Sequence, residues 1–292
     1  MIKIELMNKS SETRRPSIFF RMLAFIFGIF LVSGCASRKI SDISYLKKSK
    51  ALVTSFPKLN VFQTRSSEKN PVVIFIHGGY WTSGNKDIYG FLGRNFAKKK
   101  IVTVIPNYTL SPNGSYDTMA KEVAAAIQWT SDNIEKYNGN PDQIFLMGHS
   151  AGGHLIALVG ANPKYLENTD RIKGIILNDA AGLDMYSYLK KHPPTKNHNY
   201  DVTWTEKQDN WKDASPIYSM SEKAPPFLMF TGTKTYPSII SQNKAFVQKL
   251  KNFQPNAKIN FLNKKHIPMM SQFVFPWNKN YKEIIKFIEA NK

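Results

Sequence analysis

Five consecutive residues, Gly148-His149-Ser150-Ala151-Gly152, set one serine between two glycines in the spacing G-x-S-x-G. An apolar run at residues 144–147 leads into them, and a helical run at 151–160 leads out. A sharp strand-to-helix turn holds such a serine in a strained backbone, and the flanking glycines remove Cβ atoms that would clash. Its hydroxyl then stands at a sheet edge, beside a helix N-terminus whose free N–H groups favour negative charge. Nucleophilic attack by the serine is the chemistry this arrangement suits. A second motif, His77-Gly78-Gly79-Tyr80-Trp81, follows directly on the apolar run 72–76. Consecutive glycines let backbone N–H groups approach an oxyanion closely, although a plain Gly-Gly turn has the same sequence.

The elements that position these residues follow from hydrophobic periodicity. Residues 72–76, 101–105, 144–147, 172–177, 227–230 and 259–262 read as strands. Residues 118–137, 151–160, 241–250 and 281–290 have helical spacing. Alternation of this kind predicts a mostly parallel central sheet with helices on both faces. An aromatic-rich insertion at about 182–224 breaks the rhythm, carrying Tyr186, Tyr188, Tyr200, Trp204, Trp211 and Tyr218. Such an insertion either shapes a pocket or packs its rings on the body, and the two are compatible.

Composition bounds the function. With 42% hydrophobic and 13% aromatic residues, the chain is too apolar for intrinsic disorder. One Cys excludes an internal disulfide and a zinc site built on several cysteines. No metal and no cofactor is expected. The net charge of +19 raises nucleic acid as a partner. The lysines are spread along the chain without a basic helix or RNA-binding aromatic motif, so a solvated basic surface is expected and no nucleic acid.

The two glycine motifs, in this order and spacing, make residues 70–290 resemble the α/β-hydrolase superfamily. The H-G-G-x-W carboxylesterases are the nearest type, including kynurenine formamidase-like, feruloyl/acetyl-xylan esterase-like and prenylcysteine methylesterase-like enzymes. The resemblance implies an α/β-hydrolase fold, with the aromatic insertion after the sixth strand. It implies a cofactor-free serine hydrolase acting on a small-molecule ester. Ser150 would be the nucleophile, the N–H groups of Gly78, Gly79 and Ala151 the oxyanion hole, and His266, after the last strand, the base. Asn107 and Tyr108 match a stretch near the oxyanion loop and read as structural support.

The acid departs from the family. Thr235 stands where the usual Asp follows the strand at 227–230, and no Asp or Glu occurs between Glu222 and Glu283. Asp179, at the end of the run 172–177, is the expected replacement, because some lipases of this superfamily carry the acid at that earlier strand end. Asp184 is the alternative. Failing both, Thr235, a water or a backbone carbonyl would hold His266. The missing loop Asp also leaves a second reading open, an inactive homologue serving as a cell-envelope binding lipoprotein.

The N-terminus carries its own signal. Arg14, Arg15 and Arg21 precede an 11-residue apolar run at 22–32, which is too short to span a bilayer and suits a secretory signal peptide. Val32-Ser33-Gly34-Cys35 resembles a bacterial lipoprotein processing box, and it holds the chain's single Cys. The expected organisation is a signal peptide at 1–34, a tether at 35–60 and the hydrolase domain at 61–292. The expected location is the cell envelope, with a membrane anchor through lipidated Cys35. Ala36 after it favours an outer-membrane over an inner-membrane address in a Gram-negative host.

Overall fold

The computed structural model describes residues 37–46, 57–166 and 169–292, so the expected signal peptide and Cys35 lie outside the described residues. Three strands come first: β1 (Ser37–Ser44), β2 (Lys58–Thr64) and β3 (Asn70–Ile76). Then α1 (Gly90–Ala97), β4 (Val102–Pro106), α2 (Tyr116–Asn133), β5 (Gly139–His149), α3 (Ala151–Ala161) and β6 (Ile172–Asn178) alternate. The insertion follows β6 and folds as α4 (Met185–Lys191), α5 (Tyr200–Trp204) and α6 (Gln208–Asp213). The chain closes through β7 (Phe227–Gly232), α7 (Pro237–Leu250), β8 (Ile259–Leu262), α8 (His266–Ser271) and α9 (Lys279–Asn291).

The strands form one sheet in the order β1-β2-β4-β3-β5-β6-β7-β8. Pairing is parallel from β4 to β8, and antiparallel between β1 and β2 and between β2 and β4. Alternation along each strand sorts the side chains into two cores. Val72, Ile74 and Ile76 of β3 pack with α2 and α3, while Val73 and Phe75 face the α1, α8 and α9 side. Both faces are covered, so the central strands read as unbroken apolar runs. Crossovers between the parallel strands carry the C-termini of β3 to β8 to the same edge, which is where Ser150 and Asp179 emerge.

The N-terminal boundary corrects the sequence reading. Residues 37–44 and 58–60 are not a tether: β1 pairs with β2 at the sheet edge, with an irregularity between Ile40 and Ile43. Only these two β1 side chains pack partly against the core. The rest is solvated, so composition suggests a linker. Ion pairs supply what apolar burial does not: the Nζ of buried Lys86 lies 2.8 Å from both Asp42 and Asp87. The described domain therefore begins at Ser37 rather than at 61. The helix expected over 118–137 also ends early. It gives way to a 3-10 turn at Ile134–Tyr137, closed by Asn138 in a left-handed conformation (φ 62°).

Candidate active site

Ser150 sits between β5 and α3 with φ 54° and ψ −121°, outside the allowed wells of an L-residue. Strain of this kind costs on the order of 1–3 kcal/mol and persists only where surrounding contacts fix it. Here the Ser150 N–H donates to the Asn178 carbonyl (3.3 Å), and the Ser150 carbonyl accepts from Ala181 and His154 N–H groups (3.1 and 3.2 Å). The elbow is thus bolted to the end of β6 and to the loop beyond it.

The structure brings together the three side chains that sequence assigned to the reaction. His266 Nε2 lies 2.9 Å from Ser150 Oγ, and His266 Nδ1 lies 2.6 Å from Asp179 Oδ2. With a carboxylate accepting at Nδ1, the proton resides there and Nε2 accepts from the serine hydroxyl. Asp179 is fully buried and also strained (φ 53°). Its Oδ1 accepts from the Gly232 N–H (2.8 Å), and its Oδ2 accepts from Thr235 Oγ1 (2.5 Å). A buried carboxylate needs such partners, since leaving it unpaired costs several kcal/mol. Asp184 is elsewhere in the site's design: it caps α4, accepting from the Ser187 N–H (3.0 Å). The alternative acid is therefore set aside in favour of Asp179.

The oxyanion side is built from the loop after β3. A Cβ at Gly78 would stand 3.0 Å from Ser150 Cβ, which puts this backbone against Ser150. Gly79 has φ +128°, and a Cβ there would meet the Ser83 carbonyl at 2.1 Å. No side chain fits either position without moving backbone. The N–H groups of Gly78 and Gly79 meet no acceptor among the described residues. Ala151 opens α3, where the first N–H groups are free. Tyr108 Oη donates to the His77 carbonyl (2.9 Å) and its ring stacks on His77, while Asn107 Oδ1 accepts from the Lys86 N–H (2.6 Å). Both hold the loop in place, as the sequence suggested.

Four residues act here that the sequence did not single out for these parts. Thr235 supports the carboxylate. His149 stacks on His266 (centroids 4.7 Å apart) and its Nε2 lies 3.3 Å from the His266 carbonyl. Burial, and then the neighbouring His266, holds His149 down to about 4, so it is a neutral donor. His154 links the elbow helix to the insertion: Trp81 Nε1 donates to its Nδ1 (3.2 Å), and its Nε2 donates to the Ala214 carbonyl (2.7 Å). Tyr236 places its ring edge on His266 (5.2 Å) and accepts from Tyr80 Oη (2.9 Å). Tyr80 and Tyr236 thus span the mouth of a cleft of about 150 Å³ that Ser150, His266, Met185 and Tyr200 also line. The insertion does both things expected of it. Tyr188 and Tyr200 line the cleft, while Trp204 is buried against Trp81 (4.7 Å) and His154 (5.4 Å). Among the described residues no group of His, Cys, Asp and Glu is placed to hold a metal ion.

A mostly parallel sheet whose fifth strand ends in a strained serine elbow, with helices on both faces, defines the α/β-hydrolase fold. A truncated carbohydrate esterase from gut microbiota shares it, with a TM-score of 0.72 at 19% identity over 89% of this chain and 99% of that one. Esterase B from Lactobacillus rhamnosis gives 0.70 at 17% identity, over 93% and 92%. The chain belongs to the BD-FAE family, whose pattern its residues 59–250 match. Esterase LipC of Mycobacterium tuberculosis is 29% identical over 195 residues, 62% of this chain and 48% of that protein. Kynurenine formamidase of Danio rerio is 34% identical over 122 residues, 41% and 40% of the two chains. The chain spans about half the length of the curated relatives it matches.

Proposed function

We propose that the protein is a serine carboxylic-ester hydrolase working through an acyl-enzyme. Ser150 Oγ attacks the ester carbonyl as His266 Nε2 takes its proton. Asp179 holds the imidazole and stabilises the imidazolium, and the N–H groups of Gly78, Gly79 and Ala151 receive the oxyanion. The imidazolium then protonates the departing alkoxide, and the same nitrogen activates the water that frees Ser150. The observation that carries the reading is the unbroken chain from Ser150 Oγ through His266 to Asp179, at 2.9 and 2.6 Å. Relatives named as esterases, and solved structures named the same way, support it.

The cleft of about 150 Å³ is half the smallest volume usual for drug-sized ligands, roughly 300 Å³. It favours a short group on one side of the ester. The second reading, an inactive binding lipoprotein, drew on Thr235 in place of Asp, and the Asp179 carboxylate against His266 weighs against it. Lipidation at Cys35 and a place in the cell envelope complete the proposal and rest on the residues before and around that Cys.

Labelling with a fluorophosphonate, beside Ser150→Ala, tests the reaction. Labelling that vanishes in the variant, with turnover of p-nitrophenyl acetate, is the expected result. Folded wild-type protein that takes no label would return the binding reading to the front.

A further inference from the structure

Residues 223–282 hold ten lysines and no Asp, Glu or Arg. This stretch builds β7, α7, β8, α8 and the turn beyond α8. Among the described residues, half of the exposed large apolar side chains fall within it, between residues 261 and 277. Trp277 is 77% exposed, Ile267 68% and Phe275 52%, with Val274 and Phe261 also open. The helix and turn at 266–274 bury Met269, Met270 and Phe273 inward. Ile267 and Val274, two helical turns apart, therefore stand together on the opposite, outer side. A segment apolar on both faces is made to be covered on both.

The outer side is rigidly presented. Asn95 of α1 donates to the carbonyls of Phe273 and Val274 (3.0 and 3.1 Å), and Asn178 donates to that of Met269 (3.0 Å). Phe275 and Trp277 rest on each other with centroids 5.5 Å apart. Around them Lys265, Lys279 and Lys282 are exposed. Such order argues against a frayed loop, whose apolar residues would be free to turn inward.

We propose that this face docks on an anionic lipid surface. Trp and Phe side chains enter the headgroup boundary, lysine heads meet the anionic groups, and the lack of Asp and Glu from residue 223 to 282 limits the repulsion such a bilayer would otherwise meet. Among protein partners an acidic one would satisfy the lysines, but the paired Phe275 and Trp277 rings, both exposed, suit the acyl boundary. Ile267 follows His266 directly, so the docking face adjoins the helix that carries this histidine. The contact is independent of any lipid on Cys35.

The test is fluorescence quenching of the full chain by brominated lipids, in vesicles of phosphatidylcholine with phosphatidylglycerol. Trp277→Phe serves as the reference, so that the difference reports Trp277 alone. The proposal expects quenching of the Trp277 component, lost in phosphatidylcholine alone and weakened by salt. It also expects vesicle affinity to fall at least about tenfold in Phe275→Ser/Trp277→Ser, because each ring withdraws apolar area worth more than a decade. Turnover of a water-soluble ester stays as in wild type. An unquenched Trp277, equal binding to neutral vesicles, or a stable dimer that hides Trp277 in solution would each overturn it.

Discussion

Thr235 Oγ1 lies 2.5 Å from Asp179 Oδ2, the same oxygen that faces His266 Nδ1 at 2.6 Å. The position where the resemblance leads one to expect the acid thus holds a donor to a carboxylate placed one strand earlier. Asp179→Ala should lower kcat by roughly 10³–10⁴, the scale on which loss of a triad carboxylate acts. Thr235→Ala removes one hydrogen bond to a charged acceptor and should cost roughly tenfold to a hundredfold. Thr235 Oγ1 is 3.3 Å from His266 Nδ1, so Thr235→Asp placed in Asp179→Ala should recover part of the loss. Steady-state kinetics on one soluble ester reads all three, and a double variant no better than the single one would deny that Thr235 occupies an acid's place.

The oxyanion loop offers a cleaner separation of chemistry from folding. Gly79→Ala forces a Cβ onto φ +128° and the Ser83 carbonyl, displacing the loop beside Ser150. Loss of one oxyanion donor costs roughly 10²–10³ in kcat. The expected outcome is that loss of kcat with fluorophosphonate labelling slowed in parallel, while circular dichroism of the folded state stays unchanged.

Acid stability should follow three buried histidines. His77, His149 and His154 are each held down to about 4, in every case chiefly by burial. The unfolded chain binds these protons near pH 6.5 and the folded one only near 4, so the unfolded state carries more protons in between. Stability is therefore full above about 6.5 and falls as the pH drops toward 4. Each group contributes on the order of 3 kcal/mol across that window. Urea midpoints measured between pH 7 and pH 5 should fall steeply, and a flat profile would contradict the three buried neutral rings.

Trp204 separates packing from hydrogen bonding. It is fully buried among Trp81, His154 and Tyr116, and its Nε1 has no partner among the described residues. Trp204→Ala should cost about 3–5 kcal/mol by opening a cavity under the insertion. Trp204→Phe should cost far less, because it removes an unpaired buried N–H along with some volume. Urea midpoints of the two variants decide it.

The cleft's size predicts a chain-length profile. On a p-nitrophenyl ester series, kcat/KM should be greatest at acetate to butyrate and fall with longer acyl groups. Met185→Ala, which widens the cleft wall, should shift the optimum to longer chains. A flat profile would show that the cleft does not hold the acyl group.

The parts legible in sequence are those with strong local signatures. β3, β5 and β6 are buried on both faces, so their apolar runs stand out, and the serine elbow is marked by its glycines. Asp179 was reachable through the resemblance, which offered that earlier strand end once the β7 loop held no acid, with Asp184 left beside it as an alternative. β1 was not, because an edge strand with two half-buried residues has the composition of a linker. α1 escaped for another reason: it carries Gly90 and Gly93, poor helix formers, and Gly93 is needed where a Cβ would meet the Phe62 ring at 2.3 Å. The part played by Thr235 is a distance between two loops, and no local pattern encodes it.

Carrying the carboxylate that faces His266 at the end of β6 has a consequence for how the protein can change. The sixty residues from Lys223 to Lys282 supply His266 and the donors to the Asp179 carboxylate, yet none of them has to be acidic. Where the molecule resides and what it cleaves become separately adjustable traits. A lineage could exchange these lysines one at a time, retuning its attraction to charged surroundings, while the reacting atoms kept their distances. An acid in the β7 loop would remove that freedom, since one carboxylate in the stretch would be fixed.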